Sequence, residues 1–389
     1  MKQEVQYLLE IVKYILNKQQ GEAPIPAKDL DWEALIKLAK NHSILNLVHY
    51  AVDKLPDEHK PDADRCKHLY QASVNAIVRN YNQIEGIKEI FQKFEEEGIY
   101  VFAVKGICTK NYYPQTDMRT MGDIDLLYRP EQNAKVKKAM RELGYDLSME
   151  GRKHDIYSRK PYMAVEMHRE LIAAESIYNS YYEDVWEHVK AKANYQYVKE
   201  MSIEDEYIYS MIHLARHFQD GGIGIRFIMD VYVYNHIEQM DWSYVGNELK
   251  KVQLWEFYGK VSRLAEMWFG HKTEVKVEDN QLLNELATYI ISNGTFGTAR
   301  NAAAVSSARK GRFQTLWNEI FPSLKSMQSM FVWLEKWPIL LPYAWVLRGV
   351  RSLASQKRRM NIKYHVDKYK NADKEYGEQL QRFFEACGL

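Results

Sequence analysis

Cysteine is scarce: Cys66, Cys108 and Cys387 are the three in 389 residues, too widely spaced to form a metal-ligand pattern. No disulfide framework is expected, and the reading is a reducing, cytoplasmic setting. An excess of one charge is also missing, since 53 basic and 52 acidic residues leave a formal net charge of +1. That balance argues against a chain held to nucleic acid by its phosphates, so no sequence-specific nucleic acid is expected as partner. No run of about 18 uncharged apolar residues occurs, so there is no transmembrane candidate. The opening MKQEVQYLLEIVKYIL carries Glu4 and Glu10 without a small-residue cleavage site, and reads as an amphipathic helix, not an export signal. Repeats and low-complexity tracts are absent too. What is present is 46% hydrophobic residue content, enough for a large interior, in a chain long enough for two or three subdomains.

Periodicity sets out the order of elements. Val5, Leu8, Leu9, Val12 and Ile15 form one helical stripe, ended by Gly21 and Pro24-Ile25-Pro26. Asp31 caps a second helix through Lys40, and Ile44 to Leu55 reads as a third. His42 and His49 read as capping or core imidazoles. A long helix from about His68 to Glu97 offers Val74, Ile77, Val78, Tyr81, Ile84, Ile87, Ile90, Phe91 and Phe94 to a sheet. That sheet spans about 99–170. Tyr100 to Val104 is a buried-strand run ending on Lys105-Gly106, and Ile107 to Tyr113 is a short helix stopped by Pro114. A second helix, Glu131 to Leu143, ends at Gly144, and His154–Ser158 pairs antiparallel with Tyr162–His168 about a turn at 159–161. The expectation is an α+β fold: a small mixed sheet of four or five strands with helices on one face, flanked by N-terminal and large C-terminal helical regions. The boundaries fall at 1–67, 68–175 and 176–389. From about Tyr178 the chain reads as helical, over 203–218, 241–252, 254–269, 277–293 and 372–386. Gly294 and Gly297 mark a break, and the Trp-rich 330–350 segment is expected to pack on the helical domain.

The chemistry gathers around Met121-Gly122-Asp123-Ile124-Asp125-Leu126-Leu127. Alternation along a strand puts Asp123 and Asp125 on one side and Ile124 in the core. Adjacent carboxylates repel unless a cation lies between them, and oxygen ligands with open positions suit Mg²⁺ held jointly with phosphates. A solvated turn carrying two acids is the plainer alternative. Glu166, the lone acid of its strand, is placed to join the pair. Lys105 adds positive charge, and Gly106 lets backbone N–H groups approach a phosphate oxygen. Further along, His213 and His217 sit one helical turn apart, with Arg226 and Asp230 following. The run His213-Leu214-Ala215-Arg216-His217 has no Glu in the metalloprotease position, so that reading fails. Structural polar contacts, a wall facing the substrate and a zinc site remain open for these four residues.

This constellation resembles the polymerase-β-type nucleotidyltransferases, and within them a bacterial group of uncharacterised nucleotidyltransferases. The resemblance rests on Lys105-Gly106, Tyr113-Pro114, Arg119, Gly122 to Leu127 and Glu166-Met167-His168. It continues through His213, His217, Arg226 and Asp230 and into Pro338 to Arg348, and so covers most of the chain. The wider superfamily carries a Gly-Ser or Gly-Gly turn; here Lys105-Gly106-Ile107 has no Ser.

The resemblance implies Asp123, Asp125 and Glu166 as catalytic metal ligands for Mg²⁺ (or Mn²⁺), with a nucleoside triphosphate, ATP foremost, as donor. Lys105, Gly106 and Arg119 would contact the triphosphate, His168 would orient Glu166 or the acceptor, and His213, His217, Arg226 and Asp230 would form a wall. The acceptor would be a small molecule, a sugar or a protein. A degenerate module that binds nucleotide or a partner without transfer is the competing class. The Trp-rich segment and its basic tail (Arg348, Arg351, Lys357, Arg358, Arg359, Lys363) raise a third, a peripheral membrane contact in surface-polysaccharide assembly.

Overall fold

The computed structural model describes residues 2–161, 163–172, 177–182, 184–270, 280–295, 297–310, 317, 321–328, 330–353 and 374–389. Helix α1 (Gln3–Leu16) buries the predicted stripe. Asp31 starts α2 (Trp32–Asn41) by accepting from the N–H groups of Glu33 and Ala34, both at 3.0 Å, and α3 (Leu45–Val52) follows. The long α4 (Ala63–Glu96) runs 34 residues, about 50 Å at the α-helical rise. Only its C-terminal half reaches the sheet, through Ile87, Ile90, Phe91 and Phe94; Ile77, Val78 and Tyr81, expected on the buried face, are exposed. Gly86 fixes how closely the helix lies, because a Cβ there would meet the Met163 methyl at 2.4 Å.

The strands are β1 (Val101–Val104), β2 (Ile124–Tyr128), β3 (Asp146–Met149), β4 (His154–Arg159), β5 (Met163–His168), β6 (Val189–Ala191) and β7 (Val198–Met201). They form one mixed sheet in the order β3-β4-β5-β2-β1-β7-β6, in which β2–β5 and β1–β7 are parallel. Seven strands therefore replace the four or five expected. The extra pair comes from beyond residue 175, where the sequence reads as helical. Helices also cover both faces rather than one. Ile124, Leu126, Val165 and Met167 pack with α4 and with α6 (Asn133–Glu142), whereas Phe102, Val104 and Leu127 point the other way. On that second face lie α7 (Ile203–Asp220) and α8 (Ile225–Asn235), after which α9 (Trp242–Lys251), α10 (Trp255–Phe269), α11 (Asn280–Asn293) and α12 (Ala299–Lys310) continue. The core on this side unites α1 to α3 with α7 to α11, so the N-terminal and C-terminal helical regions share one interior.

His42 ties those regions together. Fully buried after α2, it donates from Nε2 to the Ile291 carbonyl at 3.1 Å and accepts at Nδ1 from the Ile225 N–H at 3.2 Å. A second ring proton would destroy the latter bond, and burial holds the imidazole down at about 4 against the Ile291 carbonyl's opposing pull. With the folded value below the unfolded 6.5, the stabilisation is full above pH 6.5 and is lost as pH falls from there toward 4. Between pH 7 and 5 the loss is expected to be about 2 kcal/mol, from 1.4 kcal/mol per pH unit. Urea unfolding at the two pH values checks it; His42→Asn should be less stable at pH 7 and lack this part of the pH dependence.

The Trp-rich segment does not add to the main core. Met327, Phe331, Leu334 and Ala344 make a separate small cluster, with helix Leu341–Leu353 packed against it. Trp337, Ile339, Tyr343, Val346 and Val350 are exposed, which corrects the expected packing on the helical domain. Tyr162, the expected helix start at 277–279, the first residues of the final helix, and Lys357, Arg358, Arg359 and Lys363 lie outside the described residues.

Candidate active site

Strand register assembles the acids. β2 and β5 are parallel with Asp125 beside Glu166 and Leu127 beside His168, so side-chain alternation points Asp125, Glu166 and His168 to one face. Asp123 enters just before β2. Asp125 is 6% exposed and is held from two sides: the Lys105 ammonium donates to Oδ1 at 2.5 Å and His168 Nε2 donates to the same oxygen at 2.8 Å. His168 Nε2 also lies 3.3 Å from Glu166 Oε2. Asp123 forms no ion pair with any described residue.

The electrostatics follow from this asymmetry. Burial pushes the Asp125 carboxyl up, but the His168 hydrogen bond and the Lys105 charge outweigh it and hold the group well below its usual range. Burial opposes the charge on Lys105 as well; Tyr209, Asp125 and Glu166 together keep the ammonium above its usual value. The His168 hydrogen bond holds Glu166 down against burial. Burial presses His168 down too, yet its bonds to Asp125 and Glu166 raise it. Asp123 moves the opposite way to Asp125: burial, then the charges of Asp125 and Glu166, push its carboxyl up. The site therefore holds one carboxylate that its neighbours repel, next to two that they satisfy. A further cation beside Asp123 would remove that repulsion, which is the condition a divalent metal meets.

Lys105 is placed by the backbone. It ends β1 in the left-handed region at φ 62°, and its carbonyl accepts from the N–H groups of Cys108 and Thr109 at 3.0 Å, starting the short α5 (Gly106–Thr109). A Cβ added to Gly106 would meet protein atoms no closer than 3.6 Å, so the fold itself does not demand glycine there. Gly122 has nothing within 4 Å of such an atom.

These residues open onto a cleft of about 320 Å³ between the sheet face and helices α7 and α8. Lys105, Gly106, Arg119, Asp123, Asp125, Glu166, His213, His217, Arg226 and Asp230 all line it. His168 does not; it stands behind Asp125 and Glu166. Within the wall, Arg119 is engaged by protein. Its Nε and Nη2 form a fork on Asp230 at 2.7 and 2.8 Å, Tyr113 donates to the same carboxylate at 2.7 Å, and Nη1 donates to the Thr120 carbonyl at 2.9 Å. Arg226 Nη1 donates to that carbonyl as well, at 2.9 Å. Burial, then Arg119, pushes Arg226 down to about 9. His213 and His217 bring their Nε2 atoms to 3.0 Å. Burial lowers both below the usual histidine value, and at that separation one ring's Nε2–H can donate to the other's Nε2.

The sequence reading left several cleft residues aside. Thr109 and Ser210 bring hydroxyls to the wall, although the Thr109 hydroxyl donates to the Lys105 carbonyl at 3.1 Å. His154, also passed over, pairs directly with His168 across β4 and β5. The signal was available, since residues 154 and 168 are equally far from the turn at 161.

A mixed sheet thus brings three acids and a Lys-Gly turn to one cleft, with helices closing it. A family model described as an uncharacterised nucleotidyltransferase matches residues 28–270, more than half of the chain. The chain belongs to that family, and the match supports a nucleotidyl-transfer role. The matched span contains the cleft and ends before the Pro338–Arg348 segment, to which the expected likeness extended. No curated protein and no solved structure matches the chain.

Proposed function

We propose that the protein transfers a nucleoside monophosphate from a nucleoside triphosphate, ATP foremost, to a hydroxyl of a small-molecule, sugar or protein acceptor. The observation that supports it is the convergence of Asp123, Asp125 and Glu166 from neighbouring segments of one sheet face onto a cleft lined by Lys105. Their all-oxygen donor set, with Asp123 repelled by its neighbours, fits Mg²⁺ or Mn²⁺. When bound there, the metal would neutralise phosphate charge and lower the pKa of the acceptor hydroxyl.

The chain's own groups do the rest. Lys105 neutralises triphosphate charge, and the Gly106 N–H approaches a phosphate oxygen, where absence of a side chain leaves room. His168, behind the acids, holds Asp125 and Glu166 in place through one shared N–H. Arg119 and Asp230 brace the wall, and His213 and His217 present neutral imidazole rings to the bound substrate.

Incubating the full-length chain with each α-labelled nucleoside triphosphate, Mg²⁺ and a panel of hydroxyl acceptors tests this. Label incorporation that stops with a chelator is the expected result. Magnesium-dependent binding without incorporation on any acceptor would favour the degenerate module, and no binding of any nucleotide would contradict both.

The aromatic segment supports a second contact, with an anionic membrane surface. Trp337 is 61%, Ile339 85% and Tyr343 57% exposed. From Lys336 to Lys363 the sequence has seven bases (Lys336, Arg348, Arg351, Lys357, Arg358, Arg359, Lys363) and no acid. Aromatic and aliphatic side chains beside concentrated positive charge suit the headgroup boundary, and no helix among the described residues is long and apolar enough to cross a membrane. Vesicles containing anionic lipid should sediment the protein, neutral ones much less, and the triple change Trp337→Ser, Ile339→Ser and Tyr343→Ser should abolish it. Equal sedimentation by the triple variant would remove the segment from any membrane role.

A further inference from the structure

Among the described residues of the acid-bearing face, His154 is one for which neither the fold nor the proposed reaction supplies a role. It forms no hydrogen bond to any described residue, and its ion-pair partner is Glu166 Oε2, 3.9 Å from Nε2. Yet it is fixed in place. β4 and β5 pair antiparallel with His154 opposite His168 and Ile156 opposite Glu166, so period-two alternation points His154, Glu166 and His168 to the same side. The two imidazole rings lie 5.0 Å apart between centroids. One ligand atom from each of the three residues falls within 4.8 Å of the other two. Next door on β4, Asp155 points the other way and pairs with Arg169 at 2.5 Å, so the strand does not turn to hide His154.

We infer that His154, Glu166 and His168 form a transition-metal site beside the Asp123–Asp125 pair, with two imidazole nitrogens and one carboxylate oxygen as ligands. Tetrahedral ligands about 2.1 Å from an ion stand about 3.4 Å from one another. The separations from Glu166 Oε2 are 3.3 Å to His168 Nε2 and 3.9 Å to His154 Nε2, so a small side-chain adjustment closes the set, the ion when bound replacing the Nε2 proton through which His168 bonds Asp125 and Glu166. Three protein ligands leave a coordination position open, as sites that bind substrate or water require. Access is not a barrier, since the side chains of His154 and Glu166 are 29% and 21% exposed. Imidazole donors select against Mg²⁺ and for ions such as Zn²⁺, Fe²⁺ and Ni²⁺, and Mn²⁺, an oxygen-preferring ion, serves as the paramagnetic probe. The site deepens the nucleotidyl-transfer reading and rests on it for its role: the ion associated with the third acid would be of a different kind from the one held by Asp123 and Asp125. The ligand set itself follows from strand register alone.

Titrating Mn²⁺ into the full-length protein, with electron paramagnetic resonance and detection of ¹⁴N couplings, tests it. Wild type is expected to hold an ion with imidazole nitrogen couplings that excess Mg²⁺ does not displace and Zn²⁺ does. His154→Ala should lose one of these couplings and bind that ion at least tenfold more weakly; His154→Gln serves the same purpose if Ala does not fold. Asp123→Asn should keep the nitrogen couplings. Absence of nitrogen coupling in wild type, or wild-type affinity in both His154 variants, overturns the site whatever the transfer assay gives. Couplings that persist in a protein that binds no nucleotide would sink the transfer reading and leave the metal site standing.

Discussion

Asp123→Asn is expected to reduce nucleotidyl transfer by about a thousandfold, equivalent to about 4 kcal/mol of transition-state stabilisation, without lowering the unfolding midpoint. The two readouts separate because Asp123 forms no ion pair with any described residue. Burial and the charges of Asp125 and Glu166 already push its carboxyl up, so the ionised group is a source of repulsion in the folded chain. A neutral amide of the same shape removes that repulsion and the proposed metal ligand together. The midpoint should stay in place or rise as activity disappears, the usual relation where a functional group is held in an unfavourable setting. Asp125→Asn is a poorer choice, since it would also strip the partner from Lys105 and His168. Transfer kinetics at saturating Mg²⁺ and urea unfolding of the same preparation check both halves.

Asp230→Ala is expected to cost about 3–5 kcal/mol of stability, the range for leaving one charge of a buried pair without its partner. Arg119 and Asp230 are 7% and 5% exposed, and three hydrogen bonds end on this one carboxylate. Removal leaves the Arg119 guanidinium buried beside Arg226, with which it already competes, and orphans the Tyr113 hydroxyl. The double change Arg119→Met with Asp230→Leu should recover most of the loss, because apolar groups of similar volume replace buried ion pairs at little cost. Denaturant unfolding of the two variants gives the answer. A double variant as unstable as Asp230→Ala would mean that the fork does more than fill the wall.

The strand-forming signals of the central site were local and therefore legible. Two acids flanking an apolar residue before Leu126-Leu127, the run into Lys105-Gly106 and the hairpin about 159–161 each carry their meaning within about ten residues. What was not legible depends on partners distant in sequence. β6 and β7 are the short polar stretches VKA and VKEM, and they are strands because β7 finds β1 nearly a hundred residues upstream. β3, DLSM, alternates polar and apolar residues, but the run is only four long and is exposed along its whole length, so no buried face sets it apart. On α4 the apolar stripe reads through Ile77, Val78 and Tyr81, but the helix outruns the sheet it was expected to cover. Arg119 illustrates the same limit at the site. Its sequence position suggests a phosphate ligand, and only the tertiary arrangement reveals Asp230 already in its fork.

The most direct measurement is a crystal structure with Mn²⁺ and a non-hydrolysable nucleoside triphosphate, using the anomalous signal to locate the ion. The account predicts a peak about 2.1–2.2 Å from oxygens of Asp123 and Asp125, with the phosphate chain running past Lys105 and Gly106. A nucleotide bound elsewhere, or seated in the cleft while those carboxylates contact no ion, would contradict it.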